Sequence, residues 1–402
     1  MLFAVLAIPA IGGAQLLPDR PVSWLDGRVA VSGSISLAAA SGDSDSYFNT
    51  GDYEQDTMRL VQLGLVSSIL LHSRATVEAD LRLAGEPAES NWYFRPRALV
   101  LRVQPLASPL LKVSAGLLQP AFGTLSRRGY GRENLLIGRP LLYQYASSLR
   151  ADALPLDADD LARHRGRGAE AYYYLGRYTQ RTGLPLVDPA GWNAGVEVGL
   201  GVDSLYLSAA LTDGSVSNPG SRGTSGGWQG SARLEARPTI GLVLGTSAAH
   251  GPYLDGELSA VVSTAVANRD PRETALGFDV EYSRDYWLVR AETVHTRRSV
   301  PALRAPLLLD PLTVTGFDVE GRYRLAPGLY AAARLGYLAF GDAPCSAGSA
   351  SWDASVGRVE AGAGWSLRRG LVVKAAYQYN RRDMQGPLRS LHRVAVEGLV
   401  WF

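Results

Sequence analysis

Lysine is almost missing from this chain of 402 residues: Lys112 and Lys374 are the only two, so 38 of its 40 basic residues are arginine. Cysteine is rarer still. Cys345 stands alone, which excludes an intramolecular disulfide, a cysteine-ligated zinc cluster and a dithiol redox pair. Net charge is nearly absent as well, with a formal +2 at pH 7, too little for the basic footprint of a nucleic-acid binder. Past the first residues, no stretch approaches the roughly 18 consecutive apolar residues of a spanning helix. His72, His164, His250, His295 and His392 are scattered, with no His-Glu-x-x-His among them, so catalytic zinc has no ligand set. Gly223, Ser225 and Gly227 spell G-x-S-x-G, but a strand follows where a nucleophile elbow needs a helix. "GYGREN" lacks the third glycine of a dinucleotide loop. The chain reads as a non-enzyme without cofactor or metal.

What it does have is glycine and proline, 44 and 22 residues, spread between short apolar stretches. Many strands joined by turns require that distribution. Hydrophobic residues make up 46% and charged residues 19%, with no shift along the chain that marks a boundary, so one unit is expected. The opening "MLFAVLAIPAIGGAQ" is too short to span a bilayer as a helix, and Gly12, Gly13 and Ala14 fit a cleavage site before Gln15. Residues 1–14 therefore read as a secretory signal peptide, without a basic residue before Arg20, and 15–402 as the exported unit.

Period-two alternation runs through that unit. In "ATVEADLRLAG", Thr76, Glu78, Asp80 and Arg82 share one strand face, and Val77, Ala79, Leu81 and Leu83 the other. "WQGSARLEARP" sets Gln229, Ser231, Arg233, Glu235 and Arg237 against Ala232, Leu234 and Ala236. Asp279 and Glu281, then Asp318, Glu320, Arg322 and Arg324, then Arg358 and Glu360 repeat the pattern, each opposite small or apolar residues. A charged face opposite an apolar one, over strands of about ten residues, marks a barrel with water inside and lipid outside. Arg102, Arg290, Arg334 and Lys374 join these as candidate lumen residues. Glu78 and Asp80 share a face as a general acid/base pair would, but lumen-lining carboxylates are the simpler reading.

The links alternate in length. Short ones fall at 71–74, 105–109, 202–204, 237–241, 283–286, 325–328 and 367–370. Longer ones lie near 41–56, 85–96, 120–191, 213–226, 251–273, 299–311, 342–352 and 382–389. Tight periplasmic turns opposite longer extracellular loops are the rule in outer-membrane barrels, and the links imply about sixteen antiparallel up-and-down strands with both termini periplasmic. Tyr282, Tyr286, Trp287, Trp365, Trp401 and Phe402 sit near strand ends, where an aromatic girdle meets the lipid headgroups.

The tail "HRVAVEGLVWF" places Val394, Val396, Gly398, Val400 and Phe402 on one strand face. It resembles the last strand of bacterial outer-membrane barrels, an alternating segment with a terminal aromatic. The resemblance implies that Val396, Gly398, Val400 and Phe402 are an assembly signal read by the barrel-assembly machinery.

Between the fifth strand, "LKVSAGLLQ", and the sixth, "NAGVEVGLG", runs a loop of some seventy residues, far longer than ordinary loops. In sixteen-stranded porins the loop after the fifth strand bends into the pore. "GLLQPAFG", with Pro120, Phe122 and Gly123, resembles the start of that loop in the phosphate-selective porin family, and "TDGSVSNPGSRGTSGG" resembles an external loop of the same relatives. The resemblance implies an outer-membrane porin-like channel passing small hydrophilic solutes, set in outer-membrane lipid and assembled as a homotrimer. The relatives line their constriction with basic residues that include lysines, which are nearly absent here. The loop offers Arg127, Arg128, Arg132, Arg163, Arg165 and Arg167, and it also carries Asp157, Asp159 and Asp160. Folded inside the barrel, they would form a charged pore constriction, favouring anions such as sulfate, phosphate or carboxylates if the arginines dominate. Solvated or mutually paired charges are the other reading. Calcium on the three aspartates does not match a twelve-residue calcium loop. The alternative function is a non-conducting barrel serving as scaffold or sheath for a partner protein, with 120–191 as its plug.

Overall fold

In the computed structural model the described residues are 21–42, 59–86, 91–106, 110–124, 132–166, 171–173, 175–176, 183–188, 192–219, 226–265, 271–301, 304–305, 307–382 and 389–402. The signal-peptide reading of 1–14 lies outside them.

Sixteen strands form the wall. They are β1 (Val29–Gly42), β2 (Arg59–His72), β3 (Ala75–Glu86), β4 (Asn91–Val103), β5 (Leu111–Leu118), β6 (Asn193–Val202), β7 (Leu205–Asp213) and β8 (Trp228–Thr239). The second half comprises β9 (Leu242–Pro252), β10 (Arg272–Arg284), β11 (Trp287–Arg298), β12 (Leu312–Ala326), β13 (Leu329–Phe340), β14 (Val356–Arg368), β15 (Leu371–Arg382) and β16 (Arg389–Trp401). Each pairs antiparallel with its neighbours, and β16 returns to β1 in the register Ser34↔Trp401 through Gly42↔Arg393, which closes the barrel. Closure leaves no edge strand, so each wall strand is paired on both sides. Where β16 runs out, a short strand Val22–Trp24 pairs with Val29 to Val31 of β1 and continues the seam.

At one end, six of the seven connections are two-residue turns and the seventh spans 104–110. Gly241, Gly328 and Gly370 sit in three of these turns with φ of 83°, 80° and 78°, each beside a register shift. That is a tight turn closed by a left-handed residue and a bulge, a geometry that favours glycine. The other end carries eight connections, up to the 119–192 segment. Two short helices missing from the sequence reading lie in this segment and in the 253–271 link: α1 (Ala158–Arg163) and α2 (Gly256–Ala265).

The outer wall is apolar. Leu37, Leu65, Leu99, Val198, Leu276, Phe317, Val359 and Val396 all point outward and are exposed. Such a belt in water would be a large adhesive patch, whereas against lipid it is solvated. Tyr286, Trp287, Trp365 and Phe402 are exposed at the short-turn end of this belt. Trp401 departs from the girdle reading. Strand alternation turns it inward, where the Arg132 guanidinium lies over its ring at 6.0 Å.

The core of the molecule lies inside the barrel. The 119–192 segment folds inward, and its Leu141, Leu142, Tyr145, Leu149, Leu161 and Leu186 pack with Val294, Val314, Leu338 and Phe340 of the wall.

Candidate functional site

The lumen gathers the charged inner faces of the strands, so its wall and the segment inside it make up the site. The inner wall of β10 to β16 carries a connected run of ion pairs. Arg290 Nε lies 2.8 Å from Glu281 and its Nη1 3.3 Å from Glu320. Arg334 bridges Glu320 at 2.8 Å and Glu360 at 2.7 Å, and Lys374 meets Glu397 at 3.1 Å. Arg358 donates from Nε to Asn380 Oδ1 at 2.7 Å.

These cations also hold the inserted chain. The described residues 119–124 and 132–144 form a strap across β9 to β15, and carbonyl groups of the strap face the wall. Arg290 donates to Glu133 O at 3.1 Å, and Lys374 to Asn134 O at 2.9 Å and Leu136 O at 3.2 Å. Arg334 donates to Gly138 O and to Asn134 Oδ1, each at 2.7 Å, and Arg358 to Arg139 O at 3.2 Å. Wall carboxylates take the strap's donors: Asp318 accepts from Leu142 N at 3.0 Å, and Glu292 from Thr124 Oγ1 at 2.8 Å and from the Tyr143 hydroxyl. A strap without a strand or long helix of its own leaves backbone groups that must be satisfied elsewhere, and the wall satisfies them. Glycine on the wall permits the approach, since a Cβ on Gly336 would meet Leu141 Cβ at 2.9 Å.

Beyond the strap, the described residues of 145–188 form an apolar plug at the long-loop end. Asp353, on the link before β14, pins it by accepting from Ser148 N at 2.8 Å and Gly166 N at 2.6 Å, and also accepts from its neighbour Ala354 N at 2.7 Å. Burial pushes the Asp353 carboxyl up from its ordinary value, and these three N–H groups pull the other way. Arg298 pairs with Glu273 at 3.1 Å and donates to Pro185 O at 2.7 Å.

The opposite wall is different. On β3 to β8, Glu78, Arg82, Arg102, Lys112, Glu197, Arg233, Glu235 and Arg237 point inward and stay half-buried. They form local pairs: Arg82 with Asp80 at 2.7 Å, Arg102 with Glu78 at 2.9 Å and Arg237 with Glu235 at 2.7 Å. Arg233 reaches Asp279 Oδ1 at 2.9 Å. Arg322, on β12, is half-buried over the Tyr330 ring at 5.9 Å.

Of the loop charges singled out in the sequence, the described ones lie at both ends of the lumen. Arg127, Arg128 and Arg167 lie outside the described residues. Arg132 sits at the short-turn end, 3.3 Å from Glu133, whereas Arg163 lies at the long-loop end, 2.9 Å from Asp160. Arg165 is half-buried beside the plug. Asp157 caps α1 through Asp160 N at 2.8 Å, and Asp159 accepts from Ser346 N at 2.7 Å on a small hairpin at Asp342–Ser351. All three aspartates are used by the protein itself. Among the described residues no cluster of three or more His, Cys, Asp or Glu is placed to hold a metal.

Asn134, Asp353, Glu292 and the apolar plug residues did not emerge from the sequence. The signal for the plug is the leucine and tyrosine density of "NLLIGRPLLYQYASSLRADALPL", too apolar for a solvated loop.

These features define a class: a sixteen-stranded transmembrane β-barrel whose lumen is partly filled by the segment after its fifth strand. No family's sequence profile matches the chain, and no curated protein matches it. Solved structures do. The anion-selective porin from Comamonas acidovorans superposes with a TM-score of 0.58 at 11% identity, covering 93% of this chain and 99% of that one. OmpF of Salmonella typhi, in complex with daunomycin, gives 0.56 at 13% identity, covering 93% and 97%. The outer-membrane channel DcaP of Acinetobacter baumannii gives 0.55 at 12% identity, again covering 93% and 97%. The fold is thus that of the outer-membrane porins.

Proposed function

We propose that this chain is an outer-membrane channel through which small hydrophilic solutes diffuse along the wall of β3 to β8, beside the strap. One observation carries this reading: on β3 to β8 Glu78, Arg82, Arg102, Lys112, Glu197, Arg233, Glu235 and Arg237 remain partly exposed, with Asp80 and Arg97 buried among them, while on β11 to β15 Arg290, Glu292, Asp318, Glu320, Arg334, Arg358, Glu360 and Lys374 are buried and Arg322 stays partly exposed. Charged side chains kept in contact with water inside a lipid-embedded barrel are the lining of an aqueous path. The short-turn end, with both termini, faces the periplasm in this reading. The outward residues Val396, Gly398, Val400 and Phe402 are the surface offered to the barrel-assembly machinery. Homotrimers and a preference for anions such as phosphate are finer parts of the same proposal. The anion preference rests on the loop arginines Arg127, Arg128, Arg132, Arg163, Arg165 and Arg167.

A specific observation favours a second reading. The plug at the long-loop end has a continuous apolar core, as a permanently closed barrel serving a partner protein as scaffold or sheath would have.

Single-channel conductance and reversal potential of the purified barrel, in a planar bilayer under a salt gradient, separate the two. Stable open channels support the diffusion path, and a shift toward cations when Arg127, Arg128 and Arg132 are changed to alanine supports anion preference. A folded barrel that never conducts overturns the channel and leaves the scaffold.

A further inference from the structure

The outer wall of β7 to β11 carries a groove of about 490 Å³. Its floor is made of small residues, Ala232, Thr246 and Ala248, and its ridges of Leu207, Leu276 and Phe278. Registers place these residues in order. Leu207, Leu234, Thr246 and Phe278 stand level across four strands, and Ala232, Ala248, Leu276 and His295 stand level one step nearer the long loops. One step further, His250, Thr274 and Arg297 are level. Each step is two residues, about 7 Å of strand rise. The groove spans β7 to β11 across the first two of these levels, with His295 in its lining, and His250 and Arg297 stand one step beyond its long-loop edge.

Those side chains are out of place on a lipid-facing wall. Arg297 is exposed and makes no ion pair among the described residues. His250 Nδ1 lies 2.9 Å from Thr274 Oγ1, and His295 Nδ1 lies 2.8 Å from Thr315 Oγ1, so both rings are held by cross-strand threonines through Nδ1. No aspartate or glutamate points outward on β8 to β12. A lone arginine on a lipid face is costly near the midplane and cheap near the headgroups, so Arg297 marks headgroup depth.

We propose that this groove binds one membrane lipid with an anionic phosphate headgroup, from the leaflet at the long-loop end. An acyl chain lies over Ala232, Thr246 and Ala248, between the leucine and phenylalanine ridges. The phosphate is met by the Arg297 guanidinium, whose fork of N–H donors matches phosphate oxygens, with His250 and His295 as flanking donors. Charge complementarity selects this occupant over a neutral lipid, and the outward position of the groove selects a lipid over a solute in the lumen. The inference stands apart from the channel reading, because none of these residues faces the lumen.

The test uses the full chain folded in detergent, titrated with dioleoyl phosphatidic acid or dioleoyl phosphatidylcholine and read by native mass spectrometry. The expected result is one retained phosphatidic acid, held at least tenfold more strongly than phosphatidylcholine. Arg297→Gln abolishes that preference, and Ala248→Trp lowers retention of both lipids. Thr246→Leu serves the same purpose should the tryptophan prevent folding. Equal retention of the two lipids, or a preference that survives Arg297→Gln, overturns the proposal. So does an oligomer seen for the parent chain and lost in Ala248→Trp, since a second copy would then fill the groove.

Discussion

Replacing Arg334 with methionine should release the strap and leave the barrel closed. The side chain is 2% exposed and spends its guanidinium on Glu320, Glu360, Asn134 and Gly138, at 2.7 to 3.0 Å. Methionine keeps much of the volume but strands two carboxylates that are 2% and 1% exposed. Glu320 retains Arg290 at 3.3 Å, and Glu360 retains the Gln378 amide. Removing one partner from a buried ion pair costs about 3 to 5 kcal/mol. The wall is held by a closed ladder of strand hydrogen bonds, so the cost falls on the element that can leave. Leu142 N, bonded to Asp318, reports on it. Its amide exchange should accelerate by about two to three and a half orders of magnitude, at roughly 1.4 kcal/mol per tenfold. Hydrogen-exchange mass spectrometry of the folded barrel reads this directly. Adding Glu320→Gln and Glu360→Gln should recover much of the protection, because the stranded charges are gone. An acceleration below tenfold at Leu142 in Arg334→Met would refute the assignment of Arg334 as the strap's anchor.

Gly336→Val should overpack the contact with Leu141 at a cost of about 1 to 3 kcal/mol, seen as a lower melting temperature of the inserted segment; unchanged melting would show that the strap does not touch this wall. Leu186→Ala removes a fully buried side chain from the plug core and should cost about 2 to 5 kcal/mol, exposing 145–188 to protease while the barrel stays intact. Arg102→Ala should shift the reversal potential toward cations, since Glu78 then loses its partner at 2.9 Å beside the water path; a conducting variant with unaltered selectivity contradicts that path. The Ser346 hydrogen bonds hold the Asp159 carboxyl below its ordinary 3.8, so this tether is present above that value and is lost as pH falls through the lower folded value. Ser346→Ala should move the Asp159 titration upward, measurable by carboxyl carbon NMR.

Much of the barrel was legible because a strand's two faces are written at a spacing of two residues. Glu78, Asp80 and Arg82, or Glu320 and Arg322, announce an inner face by themselves, and links such as 240–241 and 327–328 need only a glycine after a strand. The lumen was less legible for a physical reason. Arg334 meets Asn134 across 200 positions, and Arg358 meets Gln144 across 214, contacts that exist only once the sheet has closed around the strap. The apolar residues of the plug follow no period of two or of 3.6, so nothing local distinguishes Leu149 or Leu186 from a loop residue. α1 is six residues long, too short for helical periodicity to show. Two of the described loop arginines are held by local charge pairs: Arg163 is three residues from Asp160, and Arg132 is adjacent to Glu133.

The same alternating pattern therefore serves two different interiors. On β3 to β8 the inward Arg82, Arg102 and Arg237 are each paired with a carboxylate two residues away or on the next strand, and each arginine stays partly exposed. On β11 to β15 Arg290, Arg334 and Lys374 are each paired with a carboxylate and also donate to a carbonyl of the strap, and Arg358 donates to Asn380 and to the strap's Arg139 carbonyl, so these charges are engaged by the protein and screened from any solute. Counting basic residues on the inner faces would overstate the field acting on an ion, because Arg290, Arg334, Arg358 and Lys374 hold backbone. The groups that remain to act on a passing ion are the half-buried pairs of the other wall, where cations and carboxylates are interleaved. This division predicts opposite phenotypes for two arginines of the same barrel. Loss of Arg334 should raise conductance or its noise without moving the reversal potential, because a strap is loosened and no exposed charge is removed. Loss of Arg102 should move the reversal potential with the strap still protected from exchange. If both variants altered selectivity equally, the lumen would be uniformly wet and the strap would not cover the wall.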